Sequence, residues 1–148
     1  MKIITENREA RHNYFLQDTI EAGIVLEGSE VKSLRDSKCN LKDSYVVIRN
    51  SEAFLLNAFI SQFEKTSHFA PDERRTRKLL LNKQEILKFE KKIKTQSMTI
   101  VPVKMYFNDK NKVKLEISLA KGKHVYDKKR DLMKSDLNRY AERQIKNY

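Results

Sequence analysis

One cysteine, two prolines and three glycines occur in 148 residues. The single thiol, Cys39, has no intrachain partner, so no disulfide forms and nothing requires an oxidising compartment. Its only charged neighbour is Lys38, which suits a small structural residue better than a reactive one. With so few glycines and prolines, no repeat and no Ser/Gly-rich linker, the chain reads as one folded body, not two domains. Long apolar runs are missing too. The longest are a few residues, too short to cross a bilayer. The start, Met-Lys-Ile-Ile-Thr-Glu-Asn-Arg, lacks the apolar core of a secretory signal. A reduced, soluble, cytoplasmic protein with no membrane partner is the expectation, and a monomer.

Catalytic and metal-binding patterns are also lacking. His12, His68 and His124 are far apart and none sits in an HxxxH or HExxH frame. One cysteine with scattered histidines cannot build a structural zinc site. Neither GxxxxGK[ST] nor GxGxxG occurs, so nucleotide binding of those kinds is unsupported. Asp43 and Glu116 lie near apolar runs, but a turn or strand-face carboxylate accounts for both. No enzyme, metal or cofactor is expected; an RNA-modifying or RNA-cleaving activity would have no motif behind it.

What the chain does have is one-sided positive charge. Residues 1–70 carry 9 Lys/Arg against 10 Asp/Glu, and residues 71–148 carry 22 against 10. The surplus peaks in Arg74-Arg75-Thr76-Arg77-Lys78 and in the last 28 residues from Lys121, with 9 basic and 4 acidic side chains. A phosphate backbone is the commonest partner of such a stripe, through ion pairing and counterion release. A lysine-rich solvated surface is the other reading of the same charge. Lys121-Gly122-Lys123 follows a strand directly, and a glycine there allows close approach to phosphate. Tyr126, among basic residues, offers a stacking face beside charge. Each is a weak signal alone.

The 39% apolar content suffices for a core. His12–Leu16 reads as a strand, Ile20–Leu26 as extended or partly helical, and Glu30–Arg35 as a short helix capped by Ser29. Ser44–Ile48 and Ala53–Ile60 suggest a hairpin across Arg49–Glu52. Residues 64–78 read as a loop. Asn82-Lys83-Gln84-Glu85 has capping-box spacing, so the pattern predicts a helix over 83–94 with Ile86, Phe89 and Ile93 inward. Thr99–Phe107 and Val113–Ala120 read as strands around a turn at Asn108–Lys112, the second alternating Val/Leu/Ile/Leu against Lys/Glu/Ser. About six mostly hairpin-linked strands, two helices and a charged tail predict a mainly β fold: a small antiparallel barrel, of which the five-stranded oligonucleotide-binding barrel is one form. From Val125 onward, Met133, Leu137, Ala141 and Ile145 fall at i, i+4 steps. That thin stripe suggests a segment disordered when free that folds on a partner.

Taken in order, these segments resemble one family. Glu21-Ala22-Gly23-Ile24-Val25-Leu26-Glu27-Gly28-Ser29-Glu30-Val31-Lys32-Ser33-Leu34-Arg35 is similar to the EAGI-x-L-x-G-x-EVKSLR signature of SmpB, which binds transfer-messenger RNA. Asn7–Phe15, Asn40–Tyr45, Arg77–Lys83, Ala120–Lys123 and Tyr126–Lys129 match further family motifs in the same order. The resemblance runs from about residue 7 to the end. It implies an oligonucleotide-binding-like barrel over residues 1–124 and a basic tail over 125–148 that becomes helical on the ribosome. It also implies binding to the tRNA-like domain of transfer-messenger RNA and its delivery to stalled ribosomes for trans-translation, which tags incomplete proteins for degradation. Carried over by motif, the RNA face comprises Glu21, Leu80 and Asn82, with Asn7, Arg8, His12, Lys83, Lys121, Gly122 and Lys123 as neighbours. Tyr126, Asp127, Lys128, Lys129 and Arg130 fall at the ribosomal decoding site, with the tail in the message channel.

The residue chemistry bears on these roles unequally. Lys121, Lys123 and Arg8 suit phosphate, and Asn82 can offer donors and an acceptor to a base or sugar. Asn82 is equally suited to capping. Glu21 repels phosphate; it could accept from a base amino group or hold a neighbouring lysine. Leu80 alone would be taken for a core residue. Two stretches depart from the family pattern. Ser67–Arg77 is altered in spacing, so His68 is not carried over, and Asp127-Lys128-Lys129-Arg130 stands where Asp-Lys-Arg is usual. The rival reading is a generic tRNA- or ribosomal-RNA-binding barrel without a rescue role.

Overall fold

The computed structural model describes residues 1–63 and 71–122. Twelve elements follow in order: β1 (Lys2–Glu6), α1 (Arg8–Asn13), β2 (Tyr14–Ile24), α2 (Gly28–Arg35), β3 (Cys39–Asn40), β4 (Tyr45–Arg49), β5 (Glu52–Leu56), β6 (Phe59–Ile60), β7 (Arg77–Leu80), α3 (Lys83–Gln96), β8 (Thr99–Phe107) and β9 (Val113–Gly122). Neighbouring strands run β4-β5-β7-β2-β9-β8, and β8 returns to β4 through Val46 opposite Ile100, so six antiparallel strands close a ring. β1 pairs with the far end of β8, at Lys104–Phe107, beyond the point where β4 meets it, and β3 with β6 forms a separate ribbon. Ring closure removes the open edges that a sheet of this size would otherwise present.

The mainly β, antiparallel expectation holds, but the six strands are not the six expected. The runs at 12–16 and 20–26 are one strand, β2, preceded by helix α1, where His12 and Asn13 were read as strand. α1 exists because Ala10 packs on Val101 and Ala120, with Tyr14 and Leu16 alongside. The sixth ring strand is β7, which begins at Arg77 and Lys78, the last two residues of the stretch read as loop, and runs on through Leu79 and Leu80. The run at 53–60 also divides. Asn57 takes a left-handed φ of 63°, which ends β5 and sends Phe59–Ile60 to pair with Cys39–Asn40.

Most other local readings hold, the cap of α2 excepted. Asn50 and Ser51 link β4 to β5 with φ of 52° and 61°, the double positive φ of a tight I′ hairpin. Asn82 caps α3, its side chain accepting from the Glu85 amide at 2.8 Å. Ile86 and Phe89 are buried, and Ile93 packs against the core. The cap of α2 is Glu27, not Ser29; it shares a reciprocal box with Glu30. Leu115, Ile117 and Leu119 are fully buried, as the β9 alternation predicts. They meet Leu55, Ile100 and Met105 inside the ring, joined by Leu34 of α2 and Phe89 of α3. Each such side chain contributes about 1.5–3 kcal/mol through burial. Cys39 packs against this core, and burial pushes its thiol up to about 11, in keeping with a structural residue.

Candidate nucleic-acid interface

Strand register sets out the outer wall of the ring. On β2, Ala22 points inward and is buried, which turns Glu21 and Gly23 outward. Gly23 lies opposite Leu80 of β7 on one side and Lys114 of β9 on the other; Lys114 in turn faces Tyr106 of β8. One step along, Glu21 lies opposite Glu116, which faces Lys104. The wall therefore carries two adjacent rows: Leu80-Gly23-Lys114-Tyr106 and Glu21-Glu116-Lys104.

The first row explains why Leu80 is not a core residue. β7 alternates, with Arg77 and Leu79 buried and Lys78 and Leu80 exposed. Leu80 is 55% exposed and lies over Gly23, where an added Cβ would come within 3.1 Å of the Leu80 Cβ. Two residues later Asn82 caps α3. Its carbonyl oxygen serves the Glu85 amide, and its own backbone N–H donates to Glu85 Oε1 at 3.2 Å. The side-chain amide nitrogen has no partner among the described residues, so capping and RNA contact are compatible in one side chain. Lys83 follows, exposed at the first position of α3.

The second row is charged. The Tyr106 hydroxyl donates to Glu21 Oε2, and Lys104 Nζ lies 3.3 Å from Glu116 Oε2. Burial, and then the hydrogen bond to Glu21, push the Tyr106 phenol above its ordinary range. Glu21 thus holds a tyrosine hydroxyl, not a lysine. The β8 alternation around inward Met105 was the signal that could have placed Lys104 and Tyr106 on this wall.

Arg8, His12 and Lys121 form a second group. Arg8 and His12 are exposed on α1, and Lys121 is exposed opposite Phe15 at the start of β2; Gly122 lies opposite Tyr14. Phe15, an aromatic that sequence reasoning did not single out, is 49% exposed beside Lys121. Phe15 and Glu21 stand six positions apart along β2, with the bulge between Gln17 and Ile20 in the middle, so the two groups are distinct patches of one body. Asn7 is built into the scaffold. Its backbone N–H donates to Val103 O at 2.8 Å and its side-chain amide to Pro102 O at 2.9 Å. This clamps the β8 bulge between Pro102 and Lys104. Lys123, Tyr126, Asp127, Lys128, Lys129 and Arg130 lie outside the described residues.

The arginine run is largely withdrawn from any interface. Arg77 is fully buried. Nε and Nη2 donate to Glu30 Oε2 at 2.8 and 2.6 Å, and its remaining N–H groups reach the carbonyls of Ala58, Arg75 and Glu73. Arg75 donates to both oxygens of Glu30, at 3.1 and 2.6 Å. Two of the four cations read as phosphate-seeking therefore neutralise an internal carboxylate. Lys78 pairs with Glu52 at 3.4 Å, and Arg74 lies over the Phe59 ring at 5.5 Å. Among the described residues no cluster of His, Cys, Asp and Glu could hold a metal ion, and no helix is long and apolar enough to cross a membrane.

A family model described as SmpB protein matches residues 4–147. An SsrA-binding protein of Enterococcus hirae is 50% identical over 147 residues, spanning 99% of this chain and 95% of the relative. Another, of Trichodesmium erythraeum, is 49% identical over 148 residues, spanning 99% and 94%. A chain of a solved structure described as "tmRNA-SmpB: a journey to the center of the bacterial ribosome" matches with a TM-score of 0.67 and 43% identity, over 80% of this chain and 82% of that one.

Proposed function

The chain belongs to the SmpB family, and from that premise we propose that it is an RNA-binding adaptor which binds transfer-messenger RNA and brings it to the ribosome for trans-translation. It is not an enzyme. One observation carries this reading: half of its residues are shared with an SsrA-binding protein across nearly the whole of both chains.

The finer assignments rest on chemistry and position. The six-stranded ring is read as an oligonucleotide-binding-like barrel, with the tRNA-like domain of the RNA seated on its outer wall. Exposed Leu80, the Glu21 carboxylate and the Asn82 amide nitrogen, which has no partner among the described residues, offer apolar contact, an acceptor and donors side by side, the mixture that irregular RNA requires. Lys83 beside them, and Arg8, His12, Lys121 and Gly122 at the second patch, supply phosphate contacts, a role assigned to Lys123 by its motif as well; Asn7 supports that patch through β8. The basic tail, 125–148, is assigned to the message channel, with Tyr126, Asp127, Lys128, Lys129 and Arg130 at the decoding site.

Competition binding at near-physiological salt, transfer-messenger RNA against bulk tRNA, tests the reading. Salt matters because charge alone attracts any RNA. A clear preference for transfer-messenger RNA, kept when 125–148 is deleted while tagging on stalled ribosomes is lost, is the expected result. Equal affinity for both RNAs would leave a generic RNA-binding barrel. Loss of RNA binding on tail deletion would overturn the division between body and tail.

A further inference from the structure

Glu21 and Glu116 are directly opposed across β2 and β9, and like charges in that position destabilise a sheet. The two carboxylates are relieved in different ways. Glu116 has an ammonium, Lys104, at 3.3 Å. Among the described residues Glu21 receives only the neutral hydroxyl of Tyr106, on Oε2. No cation pairs with Glu21 among the described residues, and its Oε1 has no partner there. The two supporting groups pack on each other, with Lys104 Nζ 5.8 Å from the centroid of the Tyr106 ring. Tyr106 is only 6% exposed, so its ring is fixed by packing and its hydroxyl is aimed.

A held carboxylate on a wall that must meet RNA is unsuited to phosphate. It suits the N–H groups of a base edge, and an unpaired base presents them in reach of a protein surface. We infer that Tyr106 is a positioning residue: it fixes Glu21 through Oε2 so that Oε1 accepts from the amino or imino edge of an unpaired RNA base. Glu21 then reads a base while the lysines hold the backbone. This rests on the adaptor reading and adds to it a source of RNA discrimination.

The test compares wild type, Tyr106→Phe, Glu21→Ala and the double variant. Each is bound to transfer-messenger RNA and to bulk tRNA at one salt concentration. Either single substitution should weaken transfer-messenger RNA binding by about tenfold, the scale of one hydrogen bond to a charged group. Bulk tRNA binding should not change, and the double variant should be no weaker than Glu21→Ala. Wild-type affinity in Tyr106→Phe, losses that multiply in the double variant, or equal losses for both RNAs would each overturn the role of Tyr106. Wild type with no preference between the RNAs would overturn the adaptor reading itself. A second measurement needs no variant. Carbon NMR of the tyrosine rings should find Tyr106 still protonated where ordinary tyrosines ionise; ionisation with the others would remove the hydrogen bond on which the inference stands.

Discussion

Arg77 and Glu30 meet in the protein interior with side chains 0% and 3% exposed, joined by hydrogen bonds of 2.8 and 2.6 Å. The contact ties β7 to the start of α2, and the remaining guanidinium N–H groups tie in Ala58, Glu73 and Arg75. Removing one partner of such a pair leaves a buried charge and costs about 3–5 kcal/mol. A lysine cannot reproduce the planar fork. Arg77→Lys should therefore lower the unfolding free energy by about 3 kcal/mol or more, measured by urea denaturation near neutral pH. A loss under about 1 kcal/mol, the range of exposed pairs, would contradict the buried placement.

The same carboxylate gives the protein an acid limit. Burial pushes Glu30 up, but hydrogen bonds from Arg75, the Glu27 backbone and Arg77 outweigh it and hold the group below its ordinary 4.5. A carboxyl with a lowered folded pKa contributes stability that is complete above its ordinary value and is lost as pH falls through the folded one. Stability should thus fall as pH drops below about 4.5, and Glu30→Gln should flatten that fall. Asp18, held down by its hydrogen bond from Lys92, acts in the same direction, so the slope should shrink without vanishing. An unchanged slope in Glu30→Gln would mean that the carboxyl is not held down in solution.

How far these features were legible depends on whether their cause was local. The Asn82–Glu85 box, the hairpin at Asn50–Ser51 and the β9 alternation lie within a few residues, and each was visible as a pattern. Arg77 was not, because the residue that draws it inward, Glu30, is 47 positions away; the local signal was only a cluster of positive charge. Leu79-Leu80-Leu81 posed the same difficulty, since three leucines carry no phase. Pairing with β2 and β5 decides that Leu79 is buried and Leu80 exposed. For the RNA face, the family motif supplied Glu21, Leu80 and Asn82. Tyr106, which no motif marked, became visible only when β8 and β9 were laid side by side.

Scarcity of glycine leaves room for improvement. Eight non-glycine residues among those described have positive φ, and all are Asp, Asn or Ser. Ser51, with φ of 61° at the second position of the β4–β5 turn, is the plainest case, because Asn-Gly is the favoured pair there. Ser51→Gly should raise stability by about 0.5–1 kcal/mol, relieving left-handed strain at a modest entropic cost. The thermal midpoint should rise with RNA affinity unchanged; a lower midpoint would mean that the turn is not of this type.

Asn82 combines two roles that substitution can separate. Alanine removes both the cap and the amide, and a lost cap costs about 1 kcal/mol. Serine keeps an acceptor for the Glu85 N–H and so preserves the capping box, but lacks the amide donors. Both variants should weaken transfer-messenger RNA binding by about fivefold or more, while only Asn82→Ala should lower the melting temperature. If Asn82→Ser bound as tightly as wild type, the residue would be a helix cap and nothing else.

Gly23 bears on Leu80 through contact, not backbone freedom. No described glycine has positive φ, so alanine is sterically acceptable to the backbone at 23. Its Cβ, however, would lie 3.1 Å from the Leu80 Cβ and 3.4 Å from Cδ1. Leu80 is exposed and has space to move, so the fold should change by less than about 1 kcal/mol. The interface should lose more, because the displaced side chain is the apolar part of the wall. Gly23→Ala should weaken transfer-messenger RNA binding by about three- to tenfold, roughly 1 kcal/mol, and leave bulk tRNA binding unchanged. In a Leu80→Ala background it should do little further to binding, since the apolar side chain it would displace is already gone and only the Cβ contact remains. Full affinity in Gly23→Ala would place Leu80 outside the RNA contact, whatever its exposure.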